Sequence, residues 1–170
     1  MYPDIVTMAK SVGNGAAIAA VVMRKEIANA LNSKIYMNTF GGNPISCAQA
    51  ATVLKIIKRD GLVEQARVRG AQIRSGLDAL KKKHPILGDI RGHGLLIGLE
   101  IVNNHKEKKQ DGAAALEIME QCRSIGLLVG RGGYFGNVIR LTPSYVITEE
   151  DADFIVQALD YAISAVQAKQ

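Results

Sequence analysis

"PDIVTMAKSVGNG", residues 3–15, holds the reading on which the fold turns. Ile5, Val6, Thr7 and Met8 have the side chains of a short strand, because β-branched and apolar groups suit a pleated surface. The spacing predicts a buried strand here. It ends beside a lysine, Lys10, and runs into a turn of Gly13, Asn14 and Gly15. An amine at the end of a buried strand is partly desolvated, which frees a neutral nitrogen to attack a carbonyl. The alternative is a lysine that lays its stem on apolar surface and reaches water. Spacing alone leaves both open.

Working outward, Ala19–Met23 is a second apolar run of strand length, and residues 25–32 suggest a short helix. "NTFGGNP" (38–44) is a loop by its glycine pair and its Asn-Pro. Asn43 can cap a helix that Pro44 begins and that breaks near Gly61. Leu62, Ala66, Ile73, Leu77 and Leu80 then form the stripe of another helix. After Pro85 the pattern changes to glycine-punctuated strand over 86–102, a polar loop over 103–111 and a helix over 112–125 that stops at Gly126. Residues 127–143 read as strand, turn, strand. Thr148 caps a last helix with acids at 149–151 and an apolar face from Ile155 to Val166. The chain is therefore α/β to about residue 80 and α+β afterwards.

Composition bounds the chemistry. The 170 residues are 48% hydrophobic and 22% charged, as in an ordinary globular protein, and one domain or one and part of another is expected. No apolar run reaches 18 residues, so no transmembrane helix and no membrane partner is expected. Cys47 and Cys122 are too few for a disulfide framework, and His84, His93 and His105 lack ligand spacing, so no metal is expected. The net charge of +5 sits largely in Lys81–Lys83 and around Lys106–Lys109, without interleaved aromatics, which disfavours nucleic acid. Neither Gly13-Asn14-Gly15 nor Gly130-Arg131-Gly132 completes a dinucleotide-binding glycine pattern, since Ile18 and Phe135 stand at the third positions.

Two further residues can carry chemistry. Thr39 lies beside Gly41 and Gly42, just before a helix N-terminus, where a hydroxyl and backbone N–H groups would take a phosphate. A capped helix without ligand fits as well. In "NVIRLTP" (137–143), Arg140 shares a strand face with Val138 and Thr142. A guanidinium cannot be neutralised, so it needs an anion: a substrate carboxylate, or an internal Asp or Glu. Together a Schiff-base lysine, a phosphate-binding hydroxyl and a carboxylate-binding arginine are what a pyridoxal phosphate enzyme acting on amino acids requires.

"PDIVTMAKSVGNG", "NTFGGNP", "GDIRGHGLLIGLEIV" and "GLLVGRGGYFGNVIRLTP" resemble, in order and spacing, the class III (ω-type) pyridoxal-phosphate-dependent aminotransferases. "LLVGRGG" followed by "RLTPS" is similar to their alanine–glyoxylate branch. The resemblance implies fold type I, with 1–80 the end of the large cofactor-binding domain and 81–170 the small C-terminal α+β domain. It implies that Lys10 bonds the cofactor, that Thr39 reaches the cofactor phosphate across a homodimer interface, and that Arg140 grips the substrate α-carboxylate. The substrates would be an amino acid and a 2-oxo acid. Asn38 stands where several members have serine or histidine, and "GAAIAA" replaces a bulkier pattern. The other cofactor contacts come earlier in family members. The chain is accordingly expected to be a C-terminal portion with little activity alone, intracellular and mitochondrial by resemblance. Other readings are an ornithine- or 4-aminobutyrate-type transaminase, an aminomutase, or a non-catalytic remnant.

Overall fold

The computed structural model describes residues 2–169. Its contacts divide the chain into two units, Met1–Gly61 and Leu62–Gln170.

In the first unit, β1 (Ile5–Met8) pairs antiparallel with β2 (Ala20–Met23), from Ile5 opposite Met23 to Met8 opposite Ala20. The Arg24–Asp4 ion pair, 3.1 Å, sits at the open end of this ribbon. Both strands form where β-branched residues predict them, but burial does not follow. Ile5, Val21 and Val22 are each at least half exposed, and Ala50 is the only buried apolar side chain of this unit among the described residues. The expected buried strand is thus an exposed one, because no further strand or helix covers either face of the pair. A two-stranded ribbon gains little on its own.

A 3-10 turn, Lys10–Val12, follows β1. The helix expected over 25–32 is shorter: α1 is Lys25–Asn29. Helix α2 (Pro44–Arg59) starts as predicted, with Asn43 Oδ1 accepting from the N–H groups of Ile45 and Ser46, both at 3.1 Å, and Pro44 in its first turn. It stops before Gly61, whose φ of +62° suits glycine.

The second unit has a core. Its sheet runs β3 (Leu87–His93), β4 (Leu96–Ile101), β6 (Val138–Leu141), β5 (Gly130–Gly132), antiparallel throughout. Alternation decides its faces. Ile90, Leu99 and Ile139 fall in one row across three strands, and Ile97 and Leu141 in the next, all buried. Helices α3 (Leu62–Lys83), α4 (Gly112–Ser124) and α5 (Glu149–Gln167) cover this face, offering Ile73, Leu77, Ile118, Leu159 and Ile163, all fully buried. Thr148 and Asp151 close a reciprocal capping box at the start of α5. Because its stripe is buried here, α3 belongs by packing to the second unit.

Gly70 on α3 lies under the β3–β4 turn, where an added Cβ would stand 2.3 Å from the Gly94 carbonyl oxygen. Gly70→Ala gains about 1 kcal/mol of helix propensity. Overpacking against backbone costs about 1–3 kcal/mol, and backbone cannot rotate away as a side chain can. The clash wins, so the variant should unfold at lower urea concentration than the parent.

His84, at the end of α3, is buried with Nε2 2.6 Å from Asp160 Oδ1 and Nδ1 2.6 Å from Gln167 Oε1. Lys83 Nζ donates to the same carboxylate at 2.7 and 2.8 Å. The Lys83 ammonium, and then His84, hold the Asp160 carboxyl below the usual carboxylate range. A depressed carboxylate stabilises the fold above its unfolded pKa, and that contribution fades as pH falls through the folded value. Asp160→Asn should therefore lower urea resistance at pH 7, with a smaller difference from the parent near pH 3. His105 Nε2 meets the Leu87 carbonyl at 2.9 Å, so it too has a structural partner.

Candidate active site

The backbone places the lysine by strain. At Lys10 φ is +60°, a left-handed conformation that costs a residue with a Cβ about 1–2 kcal/mol. The turn that enforces it is hydrogen-bonded: Gly13 N–H donates to the Lys10 carbonyl at 3.2 Å, and Asn14 N–H to that of Ser11 at 3.1 Å. Gly13 is buried, and a Cβ there would stand 2.3 Å from the Ala16 carbonyl oxygen. Glycine is required by space at this position. Lys10 itself is exposed and makes no side-chain hydrogen bond or ion pair among the described residues. The desolvation expected from the sequence is not present in this chain, for the same reason that β1 is exposed.

Thr39 lies in the turn before α2. Asn38 Oδ1 accepts from Phe40 N–H at 3.2 Å, the Asn38 carbonyl accepts from Gly41 N–H at 3.0 Å, and Gly42 has φ +69°. Asn38 is thereby occupied with its own turn, and Asn43 takes two of the N–H groups at the helix start. What stays available is the exposed Thr39 hydroxyl. Gly13 and Asn14, from the turn after Lys10, share an open groove with Pro44, Ile45, Ala48 and Thr52 of α2. The first unit thus brings the turn after the lysine against the helix that follows the threonine.

Arg140 belongs to the second unit. Its strand neighbours Ile139 and Leu141 point into the core, and Arg140 stands on the sheet's other, open face. No carboxylate among the described residues comes within ion-pair distance of it, whereas Arg91 on the same face is held by Glu100 at 2.6 Å and Asp89 at 3.0 Å. The internal ion pair left open by the sequence is absent. The side chains beside Arg140 in register are also absent: Gly98 faces it from β4 and Gly130 from β5. Sequence reasoning weighed Gly130 only as part of a nucleotide loop. Its signal was pairing register, which the turn at 133–137 sets.

Neither cysteine joins these groups as a nucleophile. Burial pushes the Cys122 thiol up to about 11, and Cys47 lies exposed on α2. No helix of the described residues is long and apolar enough to cross a membrane.

The mixed α/β fold is that of the fold type I pyridoxal-phosphate enzymes, and the aminotransferase class-III family model matches residues 1–163. The chain belongs to that family, whose cofactor is pyridoxal 5'-phosphate. It is 48% identical over 164 residues to alanine–glyoxylate aminotransferase 2 homolog 2, mitochondrial, of Arabidopsis thaliana, an alignment spanning 96% of this chain and 34% of that protein. A phospholyase from Arthrobacter, solved in complex with phosphoethanolamine, superposes with a TM-score of 0.91 at 31% identity, over 96% of this chain and 39% of that one. A PLP-bound amine transaminase from an uncultivated Pseudomonas species superposes at 0.87 and 28% identity, with coverage of 96% and 39%. The chain therefore spans about a third of the length of the curated relative it matches.

Proposed function

We propose that this chain is the C-terminal portion of an alanine–glyoxylate-type aminotransferase, passing an amino group from alanine or a similar donor to a 2-oxo acid. The observation that carries the reading is Arg140, a strand arginine with no carboxylate partner among the described residues. An uncommitted guanidinium on a bare face suits the carboxylate that alanine and glyoxylate share.

The residues present fit the cofactor in part. Lys10 offers a primary amine held by no acid, and Thr39 a free hydroxyl beside two glycines. Pyridoxal phosphate supplies an aldehyde for the amino group and a ring that withdraws electrons from the substrate carbon. In this reading the Lys10 amine would hold the cofactor through its aldehyde and, once displaced by the substrate's amino group, would move the proton at the substrate α-carbon. The Thr39 hydroxyl would help hold the phosphate of the cofactor of a second subunit. Arg140 fixes the α-carboxylate and so orients the bond that reacts.

The exposure of the first unit supports a partner segment. Its ribbon and loops leave Val21, Ile35, Tyr36, Met37 and Phe40 more than half exposed. We read the first unit as the end of a large domain completed by further chain and by a homodimer partner, and the second as the small domain, the boundary expected near residue 80 falling inside α3, which packs with the second unit. The Arabidopsis relative is named as a mitochondrial protein, which supports a mitochondrial location.

The Arthrobacter neighbour favours a second reading, a phospholyase. Phosphoethanolamine has no carboxylate, so Arg140 argues for the transaminase. The test is to incubate the chain with pyridoxal phosphate, reduce with borohydride and map the adduct by mass spectrometry. An adduct on Lys10 alone supports the reading. Spread over surface lysines, or absent, it limits the aminotransferase to ancestry. Pyruvate formed from alanine and glyoxylate, against phosphate released from phosphoethanolamine, then separates the two reactions.

A further inference from the structure

A side chain at Gly130 would meet the guanidinium of Arg140. The Gly130 backbone is ordinary, outside the left-handed region where glycine is preferred. A glycine inside a strand is less stable than alanine there, which leaves its presence to be explained by its neighbours. A Cβ built on Gly130 would stand 3.2 Å from both Nε and Nη2 of Arg140 and 3.5 Å from Cζ. That point is nearer to both nitrogens than to the carbon between them, so it lies off the Nε–Nη2 edge of the guanidinium. This edge can grip a carboxylate with two parallel hydrogen bonds. Two residues along the same strand and on the same face, Gly132 has nothing within 4 Å of its Cβ position.

We propose that Gly130 is a positioning residue for carboxylate recognition: its missing side chain keeps the Nε–Nη2 edge of Arg140 open, so that a substrate carboxylate can bind it side-on. This rests on the reading of Arg140 as the carboxylate-binding group. A methyl at 130 crowds that edge and turns the guanidinium aside. At 132 the same methyl meets nothing. Gly98, the other neighbour of Arg140 in register, would place its Cβ 3.3 Å from Val138 Cγ1 and is governed by that contact instead.

The experiment follows the Arg140 Nε–Hε resonance by NMR in the full 170-residue chain, free and titrated with pyruvate as a 2-oxo acid probe. Gly130→Ala, Gly132→Ala and Arg140→Lys are compared, with the buried methyls of Leu77 and Ile139 reporting the fold. Gly130→Ala should shift the Nε–Hε resonance of the free protein and weaken pyruvate binding at least about tenfold, since two hydrogen bonds to a charged group are at stake. Gly132→Ala should leave the resonance in place and the affinity within about twofold on the same scale. Arg140→Lys removes the Nε–Hε group itself and so assigns the resonance. Equal behaviour of Gly130→Ala and the parent overturns the role of Gly130 while leaving Arg140 as the carboxylate group. A parent whose Arg140 resonance ignores pyruvate overturns both.

Discussion

Lys10→Ala should erase the borohydride-stable adduct completely, and lower any amino transfer by about 10²–10⁴-fold, the range for removing a proton-transfer group. The thermal midpoint should hardly move. The side chain is exposed and holds no ion pair or hydrogen bond among the described residues, so truncation should remove little packing and strand no described partner. Lysine and alanine both carry a Cβ, and both suffer alike at φ +60°. Lys10→Gly provides the control in the opposite sense. Glycine relieves the left-handed strain, offset in part by its freer unfolded chain, so stability should hold or rise while the adduct is still lost. Lys10→Arg keeps a cation yet offers no neutral nitrogen, because a guanidinium does not deprotonate in proteins. Adduct yield in Lys10→Ala equal to the parent would sink the assignment.

Leu77→Ala should cost the second unit about 3 kcal/mol of stability. Leu77 is fully buried between the sheet and the helices that cover it. Removing such a leucine side chain loses its transfer free energy and leaves a cavity, together about 2–5 kcal/mol. Each kcal/mol moves the midpoint of a domain near this size by roughly 4–8 °C, so the midpoint should fall by more than about 10 °C. Leu128→Ala is the matched control. At 83% exposure it removes the same atoms from water and not from a core, and a change under about 0.5 kcal/mol is expected. A small effect at Leu77 would mean that the second unit does not depend on this core.

Helix α5 shows what was legible. Its capping box, its acids and its stripe from Ile155 to Val166 are all local patterns, and each appears in the structure as read. The strands were legible for the same reason. Burial of β1 was not, since it depends on what packs against the strand and not on the strand. The left-handed φ at Lys10 was not legible either. Nothing in a lysine favours it, and it follows from the turn that Gly13 and its hydrogen bonds impose. The arginine was visible, but its solitude was not. That depends on two register pairings with glycines far away in sequence.

The uneven burial of the two units has a consequence for how the chain breathes. Amide protection depends on how much structure must open before water reaches an N–H group. In the second unit, Leu99 and Ile139 pair at the centre of a closed apolar layer, and their amides can exchange only through cooperative opening of that layer. The ribbon that leads to Lys10 has no such layer to wait for. Its few hydrogen bonds open singly, so the amides of the ribbon before Lys10 should exchange far sooner than those at the centre of the second unit's sheet.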